Sequence, residues 1–248
     1  MNEEEFIQMD KGGVGDWWYD TRRIMLEREL SSTPLKSGAK ILDLAAACGG
    51  NFDICSQYGK VIGLDISWSS IEYCKKNKNV TLVQANAEIL PFAKESIDIV
   101  VALDVLEHLK DDSCSMREIQ RVLKKDTGKL IFNTPAFMAL FSGHDIAFHH
   151  YRRYQASDLR KKLEAAKLRI DFITYWSFFI FPLVFIFRKL EDFFQKPREQ
   201  AQSNFQLKIP RFVESILRFL SKIELKLIKR KTFFPFGVSI FGVASKVS

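Results

Sequence analysis

The sequence predicts an α/β protein built on a mostly parallel, doubly wound sheet. Three observations predict it. Through the first 175 residues, short unbroken apolar runs alternate with helix-length stretches, the pattern of strands covered on both faces. The first run ends in a turn of very small residues, Asp43 to Gly50. The second ends in an acid, Asp65, 22 residues after Asp43. With 248 residues, 47% apolar, the chain has enough material for one large core, and 27% charged residues exclude a mostly disordered chain.

In chain order, the predicted strands are 39–46, 60–65, 80–85, 96–104, 128–135 and 168–174. Helices are expected at Trp68–Asn77, Ser113–Leu123 and Ala156–Ala166. The closing run 236–247 alternates well enough for one more strand. Residues 178–232 then form an insertion before it, and 1–177 with 233–248 form the main domain. Inside the insertion, Pro210 opens an amphipathic helix. Val213, Ile216, Leu217, Leu220, Ile223 and Leu227 share one face; Arg211, Arg218, Lys222, Lys226 and Lys229 share the other.

Charge and composition narrow the partners. Between Arg188 and Lys231 there are 12 Lys/Arg against 5 Asp/Glu, which accounts for the whole net charge of +7. A basic element of this kind, without interleaved exposed aromatics, argues against nucleic acid. The apolar run Ile173–Phe187 is 15 residues long and holds Pro182, whereas a membrane span needs about 20 residues. With the basic helix behind it, the stretch 173–231 can lie on an anionic membrane surface. The preferred reading is that its apolar faces pack on the domain or on a second subunit. The acidic N-terminus lacks the apolar core of a signal peptide, and the four cysteines follow no zinc spacing, so a cytoplasmic protein, at most peripheral to a membrane, is expected.

The small-residue turn and the two acids suggest a nucleotide-type ligand. A turn of tiny residues after the first parallel strand lets backbone approach a ligand closely, and an acid ending the second strand can bind both ribose hydroxyls. A dinucleotide needs a glycine turn for its pyrophosphate, which Asp43 would repel. The same acid suits the ammonium of S-adenosylmethionine.

ILDLAAACGG resembles the first motif of class I S-adenosylmethionine-dependent methyltransferases, an acid followed by glycines at alternate positions. Ala45 and Ala47 replace two of those glycines and Gly49 keeps the third. VIGLDIS resembles the second motif, with Asp65 as the ribose acid and Ile66 beside it. QANAEILPF resembles the run "G-D-A-E-x-L-P-F", which assigns Asn86 to the adenine amino group and Ala87 to the ring through its N–H. SIDIVVALDVLEHL matches the fourth strand and its turn, bringing Leu103 to the cofactor, and REIQRVLKKDTGKLIFNTP the fifth.

Two outer segments extend the resemblance to the methyltransferase type 11 group, in members found beside glycosyltransferases. DWWYDTRR resembles "H-W-W-F-x-x-R-R", and HDIAFHHYRRY resembles "G-H-x-R-R-Y" with His149 in place of the glycine. The resemblance implies a Rossmann-like sheet of seven strands in the order 3-2-1-4-5-7-6, the last antiparallel. It implies methyl transfer to a small-molecule acceptor, a sugar or lipid-linked glycan intermediate.

Candidate bases are few. His108 follows the fourth strand, and His149 and His150 follow the fifth, all at the carboxyl edge where such sheets bind ligands. Asp104 is the fourth candidate. Trp18 can cover the cofactor, and Arg22 or Arg23 can meet its carboxylate. His144, Asp145, His149 and His150 match no metal spacing, so no metal is expected. Competing readings are an NAD-dependent oxidoreductase and a degenerate methyltransferase fold acting as a binding or membrane-scaffold subunit.

Overall fold

A computed structural model of the chain describes residues 17–193, 211–229 and 232–247. Its core is one seven-stranded sheet in the order β3-β2-β1-β4-β5-β7-β6. The strands are β1 Lys40–Leu44, β2 Lys60–Asp65, β3 Thr81–Gln84, β4 Ile99–Leu103, β5 Lys129–Pro135, β6 Leu168–Trp176 and β7 Ser239–Lys246. β1 to β5 are mutually parallel, and β7 runs antiparallel between β5 and β6. The predicted order and the antiparallel last strand are both present.

Alternation along the strands builds two cores. Leu42, Leu44, Val100, Ala102 and Phe132 face one side. There they pack on Met116 and Ile119 of α4 (Asp112–Val122) and on Leu159 and Leu163 of α6 (Ala156–Ala165). Ile41, Val61, Ile99, Val101 and Ile131 face the other, against Met25, Leu26 and Leu30 of α1 (Trp17–Ser32). Short helices α2 (Phe52–Ser56), α3 (Trp68–Cys74) and α5 (Gly143–Ala147) follow β1, β2 and β5.

Two helices lie between β6 and β7: α7 (Phe181–Phe193) and α8 (Arg211–Lys229). Pro182 sits in the first turn of α7, where its missing N–H costs nothing. No described helix is long and apolar enough to cross a membrane. Pro210 lies outside the described residues, and α8 begins directly after it.

The docked face of α8 differs from the expected one. Ser221, Glu224, Leu225 and Ile228 are buried, while Phe212, Ile216 and Phe219 stay 53–69% exposed. Polar anchors cause the rotation. Arg218 pairs with Asp20 of α1 at 2.7 Å, the Arg28 guanidinium donates to the Leu225 carbonyl at 2.7 Å, and Glu224 accepts from the Phe178 N–H at 3.0 Å. These bonds hold α8 by one edge, leaving Ile216 of the expected stripe exposed and its other five residues half-buried. On α7, Leu183, Ile186, Phe187 and Leu190 are likewise exposed.

Candidate active site

The turn after β1 is shaped by three left-handed residues at alternate positions: Ala45 (φ 58°), Ala47 (φ 47°) and Gly49 (φ 78°). An L-residue in that region pays roughly 1–2 kcal/mol, which alanine bears with the least crowding. Gly49 has no such latitude. A Cβ there would sit 2.7 Å from the ring of Phe52, which plugs the space between Gly49 and Gly63. The turn therefore accepts alanine at two places and requires glycine at the third.

Asp65 holds this turn in shape. Its Oδ2 accepts from the Ala47 N–H at 2.9 Å and its Oδ1 from the Ser67 N–H at 2.8 Å. The Ser70 hydroxyl donates to the Ala47 carbonyl at 2.6 Å. Asp43 lies beneath, fully buried, accepting from the Asn51 amide at 3.1 Å. Burial pushes its carboxyl up to about 7.

A cleft of about 330 Å³ opens above the turn. Ala45, Asp65, Ile66, Asn86, Ala87 and His108 all line it, joining residues from the ends of four strands, β1 to β4. Ile66 projects at the rim, 67% exposed. The Asn86 side-chain oxygen already accepts from the Glu88 N–H at 2.9 Å, so only its second lone pair is open to a ligand. Asp43, Ala47, Gly49 and Leu103 do not line this cleft; the first three shape its floor, and Leu103 packs in the core below.

The N-terminal helix reaches the same edge differently from expectation. Arg23 grips the turn from outside, donating to the Gly50 carbonyl and to Asp53. Arg22 instead points inward and pairs with Asp104, its guanidinium 5.3 Å from the Trp18 ring. Trp18 stacks on Trp176 at 5.3 Å, which makes it a clasp on the core. The Trp176 indole donates to Asn133 Oδ1 at 2.7 Å, and Asn133 Nδ2 donates to Asp104 Oδ1 at 2.6 Å. Asp104, itself left-handed (φ 55°), is thus engaged by an arginine and an amide, a poor arrangement for a free base.

Beyond β4 and β5 the histidines divide. His108 and His150 meet edge to face with ring centroids 4.6 Å apart. His149 stands apart, exposed and left-handed (φ 57°), which is why the resembled motif has glycine there. His150 Nδ1 lies 2.8 Å from Asp145 Oδ1, and Arg153 Nε donates to the same carboxylate oxygen at 2.8 Å. Burial alone would raise Asp145, but its bonds to His150 and Arg153 hold it below the ordinary carboxylate range. His144 is pushed down to about 4, chiefly by burial, with Arg188 adding to it. Glu107 is completely buried beside the histidines and its carboxyl is driven well above the usual range, by burial first and Asp104 next. Arg152 and Tyr154 brace the loop by bonding Asp112 at 3.0 and 2.7 Å.

Sequence reasoning missed Glu107 as a site residue and weighed Asp145 only in a metal cluster that it set aside. Each is an acid in a motif whose histidine drew the attention, and only folding reveals that both are buried.

Residues 42–132 match the family described as a methyltransferase domain. The chain is 31% identical over 134 residues to a ubiquinone/menaquinone biosynthesis C-methyltransferase of Shewanella frigidimarina, covering 47% of this chain and 52% of that one. It is 26% identical over 154 residues to a Mycobacterium tuberculosis protein described as a probable S-adenosylmethionine-dependent methyltransferase, covering 60% and 55%. The chain spans about half the length of these curated relatives. Among solved structures, the Haemonchus contortus phosphoethanolamine N-methyltransferase 2 in complex with S-adenosyl-L-methionine superposes with a TM-score of 0.59. That match has 19% identity and covers 92% of this chain and 52% of that one. The dinucleotide and degenerate-scaffold readings are not favoured by these likenesses. Residues 42–132 thus match a methyltransferase domain, and the sheet that carries them has the strand order of the methyltransferase fold seen in these solved structures.

Proposed function

We propose that the whole chain transfers a methyl group from S-adenosylmethionine to a small-molecule acceptor, a sugar or lipid-linked glycan intermediate. The cleft carries the cofactor half of this reading: a left-handed turn free of bulky side chains, with the Asp65 carboxylate at its edge. Asp65 binds the ribose hydroxyls, and Asn86 and Ala87 take the adenine. Asp43 sets the charge under the turn and favours the cofactor's ammonium, and Arg22 is the better candidate than Arg23 for its carboxylate. The chemistry is an in-line displacement at the sulfonium carbon, for which the protein supplies position and desolvation. Calorimetry with S-adenosylhomocysteine tests it. Asp65→Ala should weaken binding at least about tenfold, the loss of one charge-assisted hydrogen-bond set; unchanged affinity would remove the ribose assignment.

The acceptor half of the reading rests on the resemblance of the outer segments and on the apolar residues around the insertion. The stretch 173–231 lies against an anionic membrane, presenting the exposed apolar residues of α7 and α8 with basic residues at the headgroups. Insertion 178–232 belongs, in this reading, to the same domain and serves to bring a lipid-carried acceptor to the cleft. Cosedimentation with anionic but not zwitterionic vesicles is expected, reduced by Leu183→Glu combined with Phe219→Glu. Equal sedimentation with both vesicle types, or none, would sink this part alone.

A further inference from the structure

The turn after β4 and the loop after α5 bring three ligand-type side chains together. One ligand atom each from Glu107, His108 and His150 lies within 4.8 Å of the others. Glu107 is 0% exposed; its Oε2 accepts from the Thr134 hydroxyl at 3.1 Å, but its Oε1 is buried with no hydrogen-bond partner. An acceptor oxygen buried in this way demands either a proton or a cation beside it.

Both imidazoles are oriented from outside the cluster. His150 commits Nδ1 to Asp145, which Arg153 holds in turn. His108 is hydrogen-bonded to the Phe148 backbone. Each ring thus commits one nitrogen to a protein partner, and in the neutral tautomer that donates there the second nitrogen carries a lone pair. Outer hydrogen bonds of this kind are how metal-ligating histidines are fixed in tautomer and direction.

We propose that Glu107, His108 and His150 form a binding site for a divalent transition-metal ion, with zinc the best match. Two imidazole nitrogens and one carboxylate oxygen suit zinc or its first-row neighbours better than magnesium or calcium, which prefer oxygen alone. Bonds of about 2.0–2.1 Å put tetrahedral donors roughly 3.4 Å apart, so atoms within 4.8 Å of one another would close on an ion by small side-chain adjustments. His108 also lines the cleft above the first turn, so an ion held by these residues would lie beside the space that the methyltransferase reading gives to the reaction.

The role of the ion rests on the methyltransferase reading above and names its acceptor class: a hydroxyl oxygen. An ion held there would lower the pKa of a hydroxyl beside it, whose proton would pass to water at the cleft mouth. The oxygen lone pair forms the new O–C bond to the sulfonium methyl. The S–C bond breaks, and its electron pair returns to sulfur as a neutral thioether.

The test uses the full chain, stripped with a chelator and titrated with Co²⁺ alone, followed by visible absorption and calorimetry. One equivalent should bind, zinc should displace it, and Glu107→Gln, His108→Ala and His150→Ala should each lower affinity at least tenfold. Glu107→Gln keeps the side-chain shape and the Thr134 contact, and His108 is exposed, so melting curves of these two variants should match the parent. Lack of a stoichiometric Co²⁺ site in the parent, or equal affinity in Glu107→Gln and His108→Ala, overturns the proposal. S-Adenosylhomocysteine calorimetry on the same sample separates the two claims. Binding of the nucleoside without cobalt rejects the metal site alone; cobalt without the nucleoside rejects the cofactor reading and retains the site.

Discussion

Around Ala45–Gly50 the surface offered to a ligand is chiefly main chain, whereas around Glu107 and His150 it is side chain. The first region is local: one turn, one strand end and the Asp65 carboxylate shape it within 23 residues of sequence. The second joins β4, β5 and the loop after α5, with Asp145, His150 and Arg153 meeting Glu107 from some 40 residues away. Backbone geometry fixes the first region, and a buried polar network fixes the second. They should therefore fail in different ways.

The largest effect is expected from that network. Asp145→Ala leaves Arg153 buried without its carboxylate and frees His150. Removing one partner of a buried pair costs about 3–5 kcal/mol. Urea unfolding should register that loss, and adenosylhomocysteine affinity should change far less. A large loss of nucleoside affinity in the folded variant would mean that the two regions are coupled.

Gly49→Ala should come next. It combines left-handed strain with a Cβ 2.7 Å from Phe52. Strain plus overpacking suggests about 2–4 kcal/mol. Here stability and nucleoside affinity should fall together if the cofactor sits on this turn as proposed.

Glu224, on α8 and outside both regions, gives a pH signature. Burial raises its carboxyl to about 7, against hydrogen bonds from Phe178 and Ser177 that lower it. The folded state therefore binds more protons than the unfolded chain between the ordinary glutamate range and about pH 7. Its contribution to stability falls as pH rises through that window. At one pKa unit per 1.36 kcal/mol the shift is worth up to about 3 kcal/mol. Glu224→Gln should remove this slope, leaving a variant more stable than the parent at pH 8 and not at pH 4. Parallel stability curves for the two proteins would contradict the assignment.

The smallest effect concerns Ala45→Gly. Relief of left-handed strain is offset by the greater freedom of glycine in the unfolded chain, leaving a gain of about 0.5 kcal/mol. A melting point raised by a degree or two would agree; a lowered one would mean that the alanine methyl makes a contact worth more than its strain.

The same contrast explains what was legible in the sequence. All seven strands were placed within about three residues of their observed ends; for β1, β2, β4 and β5 the reason is that a parallel strand buried on both faces reads as an unbroken apolar run. Asp65 and the turn were legible because their spacing is local. His149 was not separable from His150 by residue type; only its left-handed backbone distinguishes them. Arg22 and Arg23 were equally ambiguous, because adjacent helix residues point about 100° apart and the inward one depends on where α1 docks. The docked face of α8 was misread for a related reason: periodicity locates the apolar stripe, but Glu224, Arg218 and Arg28 decide which edge touches the domain.

One consequence follows from the three left-handed positions of the first turn. Alanine codons lie one base from those for valine, threonine and glycine. At Ala45 and Ala47 a drift to glycine is nearly free, while a drift to a β-branched residue meets a backbone conformation that such side chains rarely adopt. The turn thus sits one nucleotide from safety and one from failure at two neighbouring sites, and a lineage keeping alanine at both should show an excess of synonymous over amino-acid changes there.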